Sequence, residues 1–505
     1  MNANHRQPDA GLYAAIKASP SAWKTGGKVL FNSDGSLIKC NIQELKFRPK
    51  YPHPLQAFYE EYATRLIGDG RSVFIPYDAS VSVINALSVQ EVFRSRDMLR
   101  RFPVFKLAGA RSKYRLDPKS QTIGILTAGG NAPGLNTVID SVVKRHSLLA
   151  TMVGVPGNRR GSARGLRIWG YEGGYVGLIE DKKLELNVHL TDKVSLQAGS
   201  LLKVQRGETP KDKQAQDRIA REMAKAVARD RLDILYVVGG NGTITAADQM
   251  CRYLAAVKGQ HRKPVRVVAA PKTMDNDVHF TDVTFGFRTT VENAVEVIKR
   301  IHLEAETCGR IAVVELFGAG SGFVALHASY ASGEVDYVLI PEMMQGSLAE
   351  KKKELDRAVA RLAARFKKKG HAILVVAEGA TTLASDLGGF IQGEQGAKQD
   401  AFAQLMNRLQ QGLKKHFPSN QPPQFFTSQP RHLIRSTPPN SFDVDLCKQT
   451  GKLMVDTALA GMSRCVVSLW KNQFVLVPMK LATTGTKCVD VGGYYFLSMM
   501  EKYLL

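Results

Sequence analysis

From about residue 119 onward the chain alternates between two hydrophobic patterns. Short, near-continuous apolar runs rich in β-branched residues recur at 122–127 (TIGILT), 232–238 (LDILYVV), 265–269 (VRVVA), 311–315 (IAVVE) and 372–377 (AILVVA). Runs of this length, lacking a polar alternation, fit strands buried on both faces of a parallel sheet. Between them, apolar residues recur at helical spacing over about 136–148, 210–228, 289–305 and 349–369. Strand and helix in alternation predict α/β architecture with right-handed crossovers. Residues 1–118 have a different texture: rich in Pro, Tyr and Phe, with little periodicity and no strand running into a glycine turn. They predict an N-terminal extension draped over a larger body. Residues 383–430, rich in Gly, Gln and Pro, predict loops with one short helix.

At 505 residues the chain is long for one domain and suggests two to four lobes. Its 44% hydrophobic and 23% charged residues are ordinary for a globular protein, which sets aside disorder and collagen-like structure. The longest apolar runs fall short of a membrane span, and the N-terminus lacks the apolar stretch of a secretory signal. Six scattered cysteines (Cys40, Cys251, Cys308, Cys447, Cys465, Cys488) form no CxxC pair and predict reduced, mostly buried thiols in a cytoplasmic protein. The formal charge of +23 raises the question of a polyanionic partner. The excess is spread out, however, and no RNP motif, zinc-finger spacing or basic region feeding heptads accompanies it. The densest basic stretch, 351–369, carries Leu355, Val359, Leu362 and Phe366 on one helical stripe, which predicts a docked surface helix with solvated lysines. Neither nucleic acid nor membrane is indicated. Phosphorylated small molecules would suit the charge equally well.

Four of the five runs end in glycine or a charged cluster, and ligands bind at that edge of an open parallel sheet. The first cluster is 129–136 (GGNAPGLN). Glycines there let backbone N–H groups approach a phosphate beside a helix N-terminus, although a plain tight turn reads as well. Leu135-Asn136 stand where a Walker A loop needs Lys-Ser/Thr, and the GxGxxG pattern is not met. The second is 239–243 (GGNGT), either a phosphate contact or a glycine turn with Thr243 capping the next helix. The third is 271–277 (PKTMDND). It sets two carboxylates two residues apart beside a lysine, a pattern suited to a general base with a neighbour orienting metal or substrate; an Asx-turn is the structural alternative. Arg310 opens the fourth run, Glu315 and 317–322 (FGAGSG) close it, Glu378 closes the fifth, and 430–435 (PRHLIR) follows.

Taken together, GGNAPGLN, GGNGT, PKTMDND, 284–287 (TFGF) and Ile434-Arg435 resemble the 6-phosphofructokinase family, from about residue 120 to the C-terminus. The extension resembles that of the long, trypanosomatid-type ATP-dependent branch. The resemblance implies two Rossmann-like lobes: 119–286 with 435–485 binding the phosphoryl donor, and 287–434 with 486–505 binding fructose 6-phosphate. Residues 1–118 would embrace a neighbouring subunit of a homodimer or homotetramer. It implies Asp275 as the base that deprotonates the sugar 1-hydroxyl, with Thr273 and Asp277 flanking the transferred group. Gly130, Arg206, Gly240, Asn241, Gly242, Thr243 and Lys272 would line the donor side. Arg310, Phe317, Gly318, Glu378, His432 and Arg435 would bind the sugar phosphate, with Arg310 reaching across a subunit interface.

Mg²⁺ and ATP are the implied cofactor and donor. Pyrophosphate-using members carry Asp at the position of Gly242, which here leaves room for a nucleotide; Lys272 is shared by both kinds of enzyme. Several residues depart from the family pattern. Asn241 replaces the Asp that helps hold Mg²⁺, Asn131 replaces a usual Asp, and Ala319 replaces an Arg of the bacterial enzymes that Lys203 or Lys272 would have to offset. Asp140 stands where those enzymes bind effectors through an Arg. The expectation is a glycolytic kinase making fructose 1,6-bisphosphate, the alternatives being a pyrophosphate-dependent enzyme or a catalytically impaired binding paralogue. GGNGT also resembles NAD and diacylglycerol kinases, which PKTMDND argues against.

Overall fold

The computed structural model describes residues 104–152, 165–205, 212–254, 264–385, 397–418 and 423–501, together with three short strands nearer the N-terminus. The strands of its two main sheets, in chain order, are β1 (Ser80–Ser82), β2 (Val104–Leu107), β3 (Thr122–Thr127), β4 (Arg167–Tyr171), β5 (Lys183–Glu185), β6 (Ile234–Gly239), β7 (Arg266–Pro271), β8 (Ile311–Leu316), β9 (Tyr337–Leu339), β10 (Ala372–Ala377), β11 (Phe425–Ser428), β12 (Cys465–Trp470) and β13 (Gln473–Pro478). The larger sheet runs β1-β2-β13-β12-β7-β6-β3-β4-β5. Its five central strands, β12 to β4, are parallel, and the flanking pairs are antiparallel.

Every residue of β6 and β7 is buried, as the unbroken apolar runs require. Alternate side chains serve opposite faces. Tyr236, Val238 and Val268 pack under helices α1 (Leu135–Met152) and Ser441–Leu459. Leu235, Val237 and Val267 pack under α2 (Lys213–Arg229) and α3 (Asn241–Leu254). The smaller sheet, β9-β10-β8-β11, is wholly parallel. It is covered by α4 (Phe287–Cys308), α5 (Phe323–Ser332), α6 (Leu348–Lys369) and α7 (Ala397–Lys414). Helix α6 begins with a Ser347/Glu350 capping box, buries Leu355, Val359 and Leu362, and ends at left-handed Gly370.

Two sequence expectations need correction, on residues 383–430 and on the cysteines, and that of an N-terminal extension gains detail. The stretch 383–430 holds an 18-residue helix, α7, and strand β11; the polar composition there reflects a helix with one wet face. The extension contributes β1 and β2 to the larger sheet, and the side chain of Tyr114 donates to Asp456 at 2.7 Å. No disulfide joins the described cysteines, but only Cys447 and Cys465 are buried, while Cys308 is exposed; Cys40 lies outside the described residues. Among those residues no helix is long and apolar enough to cross a membrane.

Helix α4 starts at Gly286, which has φ 90° and no capping side chain of its own. Asp443, on the helix Ser441–Leu459 (α8), supplies the cap from outside. It is fully buried and accepts from Gly286 N at 2.9 Å and Thr289 N at 2.8 Å. This joins the helical layer of the larger sheet to the first helix of the smaller one.

Candidate active site

The carboxyl ends of β3, β6 and β7 open onto a single cavity of about 580 Å³. Its walls include Gly129 and Gly130 after β3, Gly240 to Thr243 after β6, and Lys272, Thr273, Asp275 and Asp277 after β7. Parallel strands in register bring the three motifs together, since each loop leaves the same edge. Gly129 has φ 90°, and a Cβ there would stand 3.1 Å from Lys272 Nζ. That ammonium donates to Gly130 O, so the lysine crosses beneath the first loop. Helix α3 starts at Asn241, which puts Thr243 inside its first turn and not at its cap; the Thr243 carbonyl accepts from Tyr175 OH.

The Asp-Asn-Asp segment is held by its middle member. Asn276 is left-handed at φ 55°, accepts from Thr284 N at 3.0 Å and donates to Asp282 O at 3.1 Å. The asparagine therefore builds the turn, and Asp275 and Asp277 line the cavity. Thr273 Oγ1 accepts from Asp275 N at 3.1 Å. Asn241 Nδ2 donates to Asp277 Oδ2 at 3.1 Å. Burial raises the Asp277 carboxyl above the usual carboxylate range, against hydrogen bonds from Thr273 and Asn241 that pull it down. Asn241 Oδ1 and Asp277 Oδ1 are both buried without a hydrogen-bond partner among the described residues.

The carboxyl edge of the smaller sheet faces this cavity. Ser321 Oγ donates to Asp275 O at 2.9 Å, and Lys487 N donates to Asp277 O at 2.8 Å. At the same edge Arg435 lies 5.1 Å over the Phe317 ring and 3.1 Å from His432 Nδ1. Gly318 has φ 131°, where a side chain would strike Ser321 O. Glu378 follows β10, near enough to raise the pKa of Arg431, whose main partner is Glu315 at 2.6 Å.

Arg310 is the one described candidate placed elsewhere. It precedes β8, at the amino edge of the sheet, half-exposed and 4.0 Å from Glu304. Arg206 lies outside the described residues. Ala319 is exposed, and Lys203 is exposed and paired with Glu172 at 3.4 Å, which leaves Lys272 as the described cation on the cavity wall. Asp140 is buried and bound to Thr191 and Lys144.

Sequence reading missed the apolar half of the cavity: Tyr175, Val176, Ile179, Ile219, Ala220 and Ala246. They come from the short helix Tyr175–Ile179 and from α2 and α3. No motif marks them; the helical periodicity of α2 and α3 was the available signal.

Fold and cavity define a two-sheet α/β protein whose glycine loops and carboxylates meet beside an apolar slot. The chain belongs to the phosphofructokinase family, whose model, described as phosphofructokinase, matches residues 122–458. It is 30% identical over 405 residues to an ATP-dependent 6-phosphofructokinase of Amycolatopsis methanolica, covering 79% of this chain and 82% of that one. An enzyme of the same name from Trypanosoma brucei brucei is 29% identical, with 78% and 75% covered. Among solved structures, a pyrophosphate-dependent phosphofructokinase from Marinobacter aquaeolei superposes with a TM-score of 0.58 at 15% identity, covering 76% of this chain and 90% of that one. At that identity the likeness concerns the fold alone.

Proposed function

We propose that this protein is a 6-phosphofructokinase that transfers the γ-phosphoryl group of ATP to fructose 6-phosphate, a step of glycolysis in the cytoplasm. The observation that carries the proposal is the convergence of Asp275, Lys272 and the glycine edges of two loops on one cavity with an apolar slot. Pyrophosphate has no use for that slot, whereas an adenine ring buries well between Val176, Ile179, Ile219 and Ala246. ATP is therefore the preferred donor, and Lys272 serves the phosphates of either.

Phosphoryl transfer asks mainly for positioning and charge neutralisation. In this reading Asp275 takes the proton of the sugar 1-hydroxyl as its oxygen attacks the γ-phosphorus. Thr273 and Gly130 hold the transferred group between the lobes, and Gly240, Gly242 and Thr243 offer main-chain room and the start of α3 to the remaining phosphates. Arg206 is assigned to the same phosphates. The two orphaned oxygens of Asn241 and Asp277 fit a hard cation such as Mg²⁺ and are the residues that would hold it. Bound there, the ion would neutralise charge on the phosphate oxygens.

His432 and Arg435 take the 6-phosphate, stiffened by Phe317; Glu378 takes sugar hydroxyls, and Gly318 keeps the loop close. Arg310 faces away from this cavity and serves the site of a second copy, which makes the working unit a homodimer or a homotetramer. In that assembly the part of residues 1–118 that does not join this chain's own sheet clasps the neighbouring subunit.

The test is fructose 1,6-bisphosphate formation by purified protein with fructose 6-phosphate, Mg²⁺ and either ATP or pyrophosphate. Turnover with ATP is expected. Turnover with pyrophosphate alone would reverse the donor assignment. Sugar-phosphate binding without turnover on either donor would make the protein a binding paralogue.

A further inference from the structure

A second cluster of ligating side chains lies at the opposite, amino edge of the smaller sheet. His302, Glu306 and His371 place their donor atoms within 4.8 Å of one another. His302 and Glu306 are four residues apart on the last turns of α4, hence on one face of that helix. His371 follows Gly370 and immediately precedes β10. The two imidazole rings meet edge-on, with centroids 5.1 Å apart, and Glu334 Oε2 stands 3.4 Å from His302 Nε2.

Two features separate this from an ordinary packing pair. His371 is 6% exposed, so one of the two imidazoles sits inside the junction of helix and strand and not on open surface. In addition, the C-terminal ends of α4 and α6 converge here, since a Cβ on Gly309 would come within 3.7 Å of Gly370 O. Both helix dipoles thus present their negative poles at the cluster. Arg310, turned toward Glu304, and the last-turn lysines of α6 already draw on this field, but none of them supplies a metal-binding nitrogen to the cluster.

We propose that His302, Glu306 and His371 bind a divalent transition metal of the zinc class, with Glu334 in reach as a fourth ligand. Two imidazoles and a carboxylate suit Zn²⁺ or Co²⁺ and are poor ligands for Mg²⁺, so the site is chemically distinct from the hard-oxygen pair Asn241/Asp277. Donor atoms around one tetrahedral ion stand about 3.3 Å apart, so binding draws the cluster inward, chiefly by rotation of exposed Glu306. Metal here ties the end of the helix that precedes Arg310 to the start of β10.

The test titrates the full-length protein with Co²⁺ and Zn²⁺, read by cobalt d–d absorption, by competition with a chromophoric chelator and by Tm. One tightly bound equivalent is expected, with the absorption intensity of a four- or five-coordinate nitrogen-containing site and a metal-dependent rise in Tm. Glu306→Gln and His302→Gln lie on the helix surface and should each weaken it at least tenfold, whereas Asp277→Asn should retain it. Absence of binding to the wild-type chain, or equal binding by wild type and both helix variants, overturns the proposal and leaves a histidine packing pair.

Discussion

The amide of Asn241 stands 3.1 Å from Asp277 Oδ2, where the family pattern would set two carboxylates face to face. At an effective dielectric of about 20, such a pair repels by roughly 3–5 kcal/mol unless a cation lies between them. Asn241→Asp should therefore lower the metal-free Tm and enlarge the stabilisation that Mg²⁺ gives. If the present enzyme is limited by metal affinity, it should also raise the Mg²⁺-dependent rate; thermal scans and rates with and without Mg²⁺ check both. Asp275 has the opposite status, lying in the cavity with its loop already turned by Asn276. If Asp275 is the base, as proposed, Asp275→Asn keeps the shape and removes it, so kcat should fall by about 10²–10⁴ with little change in fructose 6-phosphate affinity. Steady-state kinetics beside calorimetric binding separates the two effects. Away from the site, His146 is fully buried against Tyr236 OH at 2.8 Å. Burial, helped by Arg145, holds its pKa down at about 3. The unfolded chain takes up a proton near pH 6.5 and the folded chain does not, so stability falls as pH drops through that window. Wild type should lose about 2 kcal/mol more than His146→Gln between pH 7 and pH 5, measured by denaturant unfolding.

At the scale of elements, Asp443 shows how one side chain can hold two layers together. It replaces the missing cap of α4 from a helix that packs on the other sheet. Asp443→Ala strands those amides in a buried place and should cost roughly 2–4 kcal/mol, while Asp443→Asn, which keeps an acceptor, should cost less. Chemical denaturation of both variants checks the order. The same elements explain what the sequence disclosed. Strands β3, β6, β7, β8 and β10 were legible because burial on both faces leaves unbroken apolar runs, and α6 because its stripe sits against a wet lysine face. Strands β2 and β11 were not: β2 lies one strand in from the edge of the larger sheet and β11 at the edge of the smaller, and each takes its identity from a partner far along the chain. Helix α7 escaped because Gln and Gly obscure a stripe that only the fold reveals as Phe402, Leu405 and Leu409. In the site, loops with glycines and carboxylates were readable as motifs. The apolar slot was not, because Val, Ile and Ala on a helix face read as core until something leaves a cavity beside them.

Over the whole molecule, the placement of Arg310 has the largest consequence. Asp275, Glu378, His432 and Arg435 all follow carboxyl ends of strands, while Arg310 precedes β8 at the far edge. A strand six residues long separates the two edges by about 20 Å, beyond the reach of any side chain. If Arg310 binds substrate, it does so in another copy of the chain, and each site is then assembled from two subunits. Arg310→Ala and Asp275→Asn should each be nearly inactive at low fructose 6-phosphate. Mixed within one oligomer, the Arg310→Ala subunit supplies Asp275 and its neighbour supplies Arg310, rebuilding one intact site per mixed pair. Random assembly of equal amounts should return about a quarter of the wild-type rate in the unfractionated mixture and about half in purified mixed dimers. Co-expression with two affinity tags, followed by assay of the doubly tagged fraction, measures this directly. A mixed oligomer no more active than its parents would place Arg310 outside the catalytic unit and remove the case for a site shared between subunits.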